Sequence, residues 1–204
     1  MVNSSSDDAE ERLNTGKVNL SSSDLELSSD NGKNQIIGLR FNEINVPKGA
    51  QILSAQLIFK PNESNSIWTS LIISAEAIDN ALPFSETPNN ISNRIQTRAS
   101  VNWSSMSPWS SIDNEQTSPN IAKVIQEVVN KELWEANNSI VLLIEGSGQR
   151  TAESFDGNNN KAPTLIIEYI DNDNIYTDSE AKYINQIQSS TLSADRKNEK
   201  SKIE

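Results

Sequence analysis

Residues 35–60 read QIIGLRFNEINVPKGAQILSAQLIFK, two alternating segments joined by a turn that contains proline and glycine. In the first segment, Ile37, Leu39 and Phe41 recur at a spacing of two, which puts them on one face of a β-strand. In the second segment the same spacing puts two sets of side chains on opposite faces, namely Leu53, Ala55, Leu57 and Phe59 on one and Ile52 and Ile58 on the other. The stretch therefore predicts two strands joined by a turn.

Six further segments read as strands because they alternate polar and apolar residues or form short apolar runs. They are residues 17–20, 24–27, 69–77, 100–103, 140–144 and 163–170. The connection at 79–100 is long and polar, and connections of that length are usually functional or contain ordered turns of their own. Short strands with turn signals between them are typical of a β-sandwich.

One segment has the periodicity of a helix. Its apolar residues recur at i, i+3, i+4, i+7 and i+8, and they are Ile121, Val124, Ile125, Val128 and Val129. Thr117-Ser118-Pro119 supplies a candidate N-cap before it. The sequence therefore predicts an all-β fold, a jelly-roll β-sandwich with one short helix in a connection, over residues 1–171. Residues 172–204 have little to bury, and we expect a flexible linker or tail there.

The composition excludes several kinds of chemistry. The chain has 204 residues and neither cysteine nor histidine, so it has no thiolate nucleophile and no Ser-His-Asp triad. Its net charge is −11 and no cluster of basic residues offsets that charge, so nucleic-acid binding is not expected. Because no apolar run reaches the length of a membrane span, we expect no membrane insertion, and the first residues show no secretory signal.

Four patterns follow one another in a recognisable order. They are the strand at 36–41, the turn and strand at 46–57, the helix from Ile121 followed by the strand at 138–144, and the ending at 150–157 and 162–165. Over about residues 6–170 the chain thereby resembles the DNRLRE-type jelly-roll domains. The resemblance implies a non-catalytic module of a secreted or surface-anchored bacterial or archaeal protein. Some members of the family bind carbohydrate, including acidic algal polysaccharide.

Several carboxylates lie close to the beginning and the end of the predicted domain in the sequence. They are Asp8 and Glu10 on the entering segment, Asp24 and Glu26 on an early strand, and Glu153 and Asp156 before the last strand. Because the first and last strands of a jelly roll are commonly neighbours, part of this set is expected to converge at one edge. Several carboxylates together suit a six- to eight-coordinate Ca²⁺. The alternative is that these residues are solvated charges at strand edges.

Two tryptophans and two arginines are candidates for contact with a ligand. Trp109 and Trp103 lie where a loop would present them, and an exposed indole face packs on the C–H face of a sugar ring. Arg94 and Arg98 would donate hydrogen bonds and pair with the carboxylate of a uronic acid. The alternative is that Trp103 packs inside the sandwich and Trp109 covers the helix, since aromatic residues make up only 5% of the chain.

Structural roles are predicted for other side chains. Trp68 begins a strand and Trp134 ends the helix, so both are interpreted as packing residues. Arg150 and Glu153 are expected to form an ion pair that holds the last loop, and Arg40 is expected to be a structural ion pair or a surface residue.

The function predicted from these observations is that of a non-catalytic carbohydrate-binding accessory module, extracellular or on the cell surface, with structural Ca²⁺. Its partner would then be a polysaccharide, and the protein would not be an enzyme. The alternative is a structural or adhesion module, or a subunit of a surface assembly, whose contacts are with protein. Exposed rings beside polar donors would favour the first function, whereas an exposed apolar patch would favour the second.

Overall fold

The structure is a computed structural model that describes residues 1–104, 106–112 and 114–171. The predicted tail at 172–204 lies outside the described residues. The strands are β1 (Asp8–Arg12), β2 (Val18–Asn19), β3 (Asp24–Leu27), β4 (Ser29–Asp30), β5 (Lys33–Ile44), β6 (Gln51–Phe59), β7 (Ser70–Ala75), β8 (Val101–Trp103), β9 (Gln116–Thr117), β10 (Asn138–Ser147), β11 (Arg150–Glu153) and β12 (Thr164–Ile170). The helices are α1 (Ala122–Val129) and α2 (Phe155–Asn158), followed by a 3-10 turn at Asn159–Lys161.

These strands form a sandwich of antiparallel sheets. The large sheet has the order β2-β1-β5-β10-β7-β8, with β4 paired to β5. The other layer consists of two smaller sheets, β12-β6-β9 and β11-β3. The predicted fold class, an all-β sandwich with a short helix in a connection, is confirmed, and the four-residue α2 is a second short helix that the sequence did not predict.

The main core lies between the two layers. Every second residue of β5, β7 and β10 enters it from the large sheet, and residues of β3, β6 and β11 enter it from the other side. Its central members are Leu25, Leu27, Ile37, Leu39, Phe41, Ala55, Leu57, Phe59, Leu71, Ile73, Ile140, Leu142, Ile144 and Ala152. The alternate apolar residues of the stretch 35–60 are therefore the ones that enter the core.

Helix α1 packs on β6 through the apolar stripe that the sequence predicts. Val124, Ile125, Val128 and Val129 are all buried. The predicted N-cap is wrong, because the Ser118 hydroxyl accepts a hydrogen bond from the backbone N–H of Leu57 instead. The side-chain oxygen of Asn120 accepts from the N–H of Ala122 and so serves the first helical residue. Among the residues described, no helix has the length and apolarity needed to cross a membrane.

A β-bulge in the pairing of β6 with β12 changes the predicted faces at the start of β6. The register shifts between Glu168 and Tyr169, so that Ser54 pairs with Glu168 and Ile52 with Tyr169. The two-residue alternation is interrupted at Leu53, which is largely exposed, whereas Ile52 is buried. The prediction that Leu53 shares the core face and Ile52 the outer face is therefore wrong.

The connection at 79–100 covers the outer face of the large sheet, and we call it the outer cover. Ala81, Phe84 and Ile91 from this segment form a second buried cluster with residues of β1, β2, β5 and β10, which are Ala9, Val18, Ile36, Val141 and Leu143. Gly38 makes room for the cover, because a Cβ at this position would lie 2.3 Å from the ring of Phe84. The Glu11 carboxylate accepts from the N–H groups of Ile91 and Ser92.

Candidate functional site

Trp68 is the tryptophan that the fold leaves on the surface. It lies on the loop between β6 and β7 and is 65% exposed, and the preceding Ile67 is also exposed. Trp134 is fully buried, as predicted. The interpretation of Trp68 as a packing residue is wrong, since the chain turns its indole outward just before β7 enters the sheet.

The buried guanidinium of Arg150 fixes the loop that carries Trp68. Its Nη1 donates to the carbonyl oxygen of Ile67 at 2.6 Å and to Oγ1 of Thr69 at 2.8 Å, the residues on either side of Trp68. Its Nη2 donates to the carbonyl oxygens of Met106 and Ser107. One side chain thus holds two loops together. No carboxylate among the described residues forms an ion pair with Arg150, and burial lowers the pKa of its guanidinium.

The turn between β10 and β11 packs against the same loop. A Cβ on Gly148 would lie 2.3 Å from the carbonyl oxygen of Trp68, and the φ of Gly148 is +91°. Only glycine combines that backbone conformation with so close an approach. Three loops therefore meet at one end of the sandwich, and we call them the Trp68 tip: residues 62–69, the described residues of 104–110, and 146–149.

The Trp68 tip is rich in neutral polar groups. Ser64, Ser66, Ser107, Ser110 and Ser147 are exposed around it. Asn65 is fixed, because its side-chain oxygen accepts from the N–H of Ile67 at 2.8 Å. Of the tip residues that the structure describes, only Glu63 has a charged side chain. An exposed indole face on loops that also carry exposed hydroxyl groups can stack on a ring and exchange hydrogen bonds with hydroxyls.

The two tryptophans predicted to contact a ligand lie below this surface. Trp109 is only 1% exposed and its ring packs 6.3 Å from that of Phe59, while its backbone pairs with that of Asn65. Trp103 is half-buried and stacks on Phe59 at 6.1 Å. A buried ring offers no face to a sugar, and the ring contact of Trp109 is with Phe59 of β6 in the core, whereas the alternative interpretation places it over the helix. Both side chains support the tip from inside.

The two predicted arginines lie at the other end of β7. Arg94 belongs to the outer cover. Its guanidinium donates to Glu76, just after β7, at 2.5 Å and lies 4.6 Å from the centre of the Phe84 ring. Arg98 is exposed, and its backbone N–H donates to the carboxylate of Glu127 on α1. Strand β7 separates this end from Trp68, and its five steps from Ser70 to Ala75 span about 17 Å at a rise of roughly 3.3 Å per residue. The structure therefore does not bring these arginines together with an exposed tryptophan.

The six predicted carboxylates lie along one seam between β1 and the β11-β3 sheet, but they form pairs rather than one group. The Glu10 carboxylate accepts from the N–H of Glu26 at 2.9 Å, and the two side chains share a hydrogen bond. Asp24 lies opposite Glu153 in the β3–β11 ladder. Asp8 accepts from the N–H of Phe155 at 2.8 Å and lies near Asp156. The six carboxylates thus lie near one another in separate pairs, and they do not converge on a single point as the sequence predicts.

Burial changes the acidity of this seam. Burial, followed by the hydrogen bond to Glu10 and the charge of Glu10, raises the pKa of Glu26 to about 8. It also raises the pKa of Asp8 to about 7, against the opposing effect of the Phe155 N–H. The pKa of Asp24 is also raised, first by burial and then by the negative charges of Glu26 and Glu63. The seam therefore holds protons at a pH where free carboxyl groups hold none.

The seam does not fit a calcium ion as it stands. A calcium site needs six to eight oxygen ligands around one point. In the part of the chain that the structure describes, no three or more acidic side chains come together in a group that could hold a metal. Glu153 is in addition within 3.4 Å of the Lys161 ammonium and accepts from Asn62. Calcium binding stays a prediction.

The predicted ion pair between Arg150 and Glu153 is not formed. Glu153 pairs with Lys161, and Arg150 donates to carbonyl oxygens. The physical reason is their spacing of three along β11, since residues an odd number apart on a strand point to opposite faces. Arg40 does form a structural ion pair, with the buried Asp7 at 2.7 Å.

Sequence reasoning missed Trp68 and the role of Arg150. The available signal was the segment Ser64-Asn65-Ser66-Ile67-Trp68, a polar connection that ends in two large apolar residues. A comparison with protein-family models and with curated proteins finds no match to this chain. The resemblance to DNRLRE-type domains therefore stays a prediction.

Proposed function

We propose that this protein is a non-catalytic, extracellular carbohydrate-binding accessory module that stacks a sugar ring on Trp68. The observation that carries the proposal is the 65% exposure of an indole on a loop fixed by a buried arginine. Trp68 and the preceding Ile67 are both exposed, and exposed apolar side chains that adjoin one another are typical of binding sites. The fixed loop supports a binding role, because an ordered ring loses little conformational entropy when it binds.

The test is the retention of Trp68→Ala on polysaccharides in affinity electrophoresis. We expect its affinity for the bound polysaccharide to fall about tenfold, the equivalent of about 1.4 kcal/mol of lost stacking. The melting temperature should change by no more than about 2 °C, because surface substitutions have small effects on stability. Ile95→Ala is the matched control, since Ile95 is 78% exposed on the outer cover. Unchanged retention of Trp68→Ala would refute the proposed role of Trp68.

Structural calcium, which the sequence predicts, is tested separately, because the carboxylates of the seam lie in pairs. If calcium stabilises the protein, a chelator should lower the melting temperature by many degrees through the loss of a ligand that binds only the folded state. A melting temperature that is equal in chelator and in calcium would contradict the calcium prediction.

The second candidate is a structural or adhesion module, and one observation favours it. A groove of about 620 Å³ runs along the outer cover, and its apolar lining includes Ile78, Leu82 and Ile95. Leu82 and Ile95 are 71% and 78% exposed. Exposed apolar side chains that adjoin one another are typical of protein interfaces. We rank this function second, because the groove has no aromatic ring and most of its polar groups serve the cover itself.

A further inference from the structure

The Trp68 tip holds charge of one sign only. Glu63 is its one charged side chain among the tip residues described. Glu145, at the approach of β10 to the tip, is also acidic. Lys60 precedes the tip, but its ammonium lies 3.0 Å from the carboxylate of Glu115. A sugar bound at Trp68 therefore meets no free basic side chain on the tip.

Arg150 lies beneath the tip, and its guanidinium cannot pair with the carboxylate of a bound sugar. Its side chain is fully buried, so no ligand reaches the guanidinium. Its two terminal nitrogens already donate to the oxygens of five residues, namely Ile67, Thr69, Gln149, Met106 and Ser107. A bidentate pair with a carboxylate needs two free N–H groups on one edge of the guanidinium. Arg150 therefore holds the loops of the tip in place but makes no contact with a ligand.

From this placement we infer that the Trp68 tip binds neutral glycans and discriminates against uronic acids, an inference that rests on the proposed function. The indole takes the C–H face of the ring, and the exposed serines around it exchange hydrogen bonds with sugar hydroxyls. A uronate carboxylate at the same place loses water without gaining a cationic partner from the tip residues that the structure describes. The arginines suited to a uronate lie about 17 Å away along β7, at a rise of roughly 3.3 Å per residue.

The experiment uses the full chain and three matched pairs of polymers in affinity electrophoresis. Each pair has one sugar configuration and linkage with and without a free carboxylate at C6: β-1,4-mannan with polymannuronate, methyl-esterified polygalacturonate with polygalacturonate, and hydroxyethylcellulose with C6-oxidised cellulose. The proteins are wild type, Trp68→Ala and Ser66→Arg. The last substitution adds an exposed guanidinium beside the indole.

We expect wild type to bind at least one neutral polymer about tenfold or more tightly than its uronate partner. Trp68→Ala should lose that binding by about tenfold. Ser66→Arg should raise affinity for the uronate of the same pair several-fold, and this gain should shrink in high salt because it is electrostatic.

Two contrary results can be told apart. Tighter binding of a uronate that still depends on Trp68 would overturn the inference and leave the proposed function standing. Binding that is equal for wild type and Trp68→Ala, or no binding to any of the six polymers, would overturn both. Melting temperatures within about 2 °C of wild type would show that both variants are folded.

Discussion

Arg150 keeps its positive charge inside the sandwich without an ion-pair partner among the described residues. Four carbonyl oxygens and one hydroxyl take the place of a counter-ion. Carbonyl dipoles that converge on a cation offset part of the free energy of desolvation, which is otherwise large for a buried charge. The planar guanidinium is suited to this task because its N–H groups point outward in fixed directions.

Replacing Arg150 with lysine should destabilise the protein strongly. An ammonium group has three N–H donors and cannot reach two loops at once, so several buried carbonyl groups lose their partners. We expect a loss of about 3 kcal/mol or more in the free energy of unfolding, measured by denaturant titration. Arg98→Lys is the control, because Arg98 is exposed and should tolerate the change. Equal stabilities of the two variants would contradict the role assigned to Arg150.

Strand β1 is held to β3 by a pair of acids, and this makes the joint between the two strands depend on pH. Glu10 and Glu26 border a cavity of about 350 Å³ whose other charged residues are Arg12, Lys17 and Asp30. Arg12 is bound to Asp30 at 2.5 Å, so its charge is partly neutralised there. One proton shared between two carboxyl groups allows them to lie together, whereas two negative charges repel each other.

Glu26→Gln should therefore weaken the pH dependence of stability. The pKa of Glu26 is about 8 in the folded protein and near the ordinary value of 4.5 when unfolded. Below pH 4.5 this carboxyl group is protonated in both the folded and the unfolded state. Between pH 4.5 and about 8 only the folded state keeps the proton, so the free energy of unfolding falls as the pH rises through this range. The neutral amide removes that contribution. Asp8, with its pKa raised to about 7, keeps a smaller slope of the same sign.

The measurement is the melting temperature of both proteins from pH 5 to pH 8. We expect wild type to lose roughly 3–6 °C more than Glu26→Gln over this range, which corresponds to about 1–2 kcal/mol. Glu86→Gln removes an exposed carboxylate from the outer cover and should follow wild type. Parallel curves for Glu26→Gln and wild type would rule out the shared proton.

Elements that have one apolar face were predictable, and those that owe their structure to polar contacts were not. Alternation predicted β5, β6 and β12 because each turns every second residue into the core. It missed β1, which reads Asp8-Ala9-Glu10-Glu11-Arg12, because its buried acids look like those of a solvated segment. It also missed the bulge at Leu53, which depends on the register with β12.

The candidate site was less predictable than the fold. The sequence pointed to tryptophans as binding residues but selected Trp109, which the pairing of its backbone with Asn65 draws inside. Trp68 faces outward because Arg150, more than eighty residues later in the chain, binds the carbonyl group beside it. Contacts between loops so far apart follow from the fold and leave no periodic pattern in the sequence.

At the scale of the whole molecule, two groups of exposed apolar side chains lie at opposite ends of β7. One is the Trp68 tip and the other is the groove of the outer cover, near the far end of β7. The strongly negative net charge disfavours self-association through long-range repulsion. An assembly of like chains through the groove would gain its free energy from apolar contacts that outweigh this repulsion.

If the outer cover joins copies of this chain, Leu82→Ser should prevent it. Leu82 lies in the groove and is largely exposed, so serine removes apolar contact area without opening a cavity. We expect wild type to sediment as an oligomer at moderate salt and the variant as a monomer. Leu13→Ser is the control, since Leu13 is also exposed but lies outside the groove. A wild type that stays monomeric at high concentration would leave this second function without support.

The uneven burial of the four tryptophans gives the protein an optical reporter. Trp109 and Trp134 are shielded from water and Trp103 is half-buried, so a water-soluble quencher reaches mainly Trp68. The quenchable part of the intrinsic fluorescence should then come from one indole at the tip. A ligand that covers this ring would protect it from iodide and shift the emission to the blue, which allows unlabelled protein to be titrated directly.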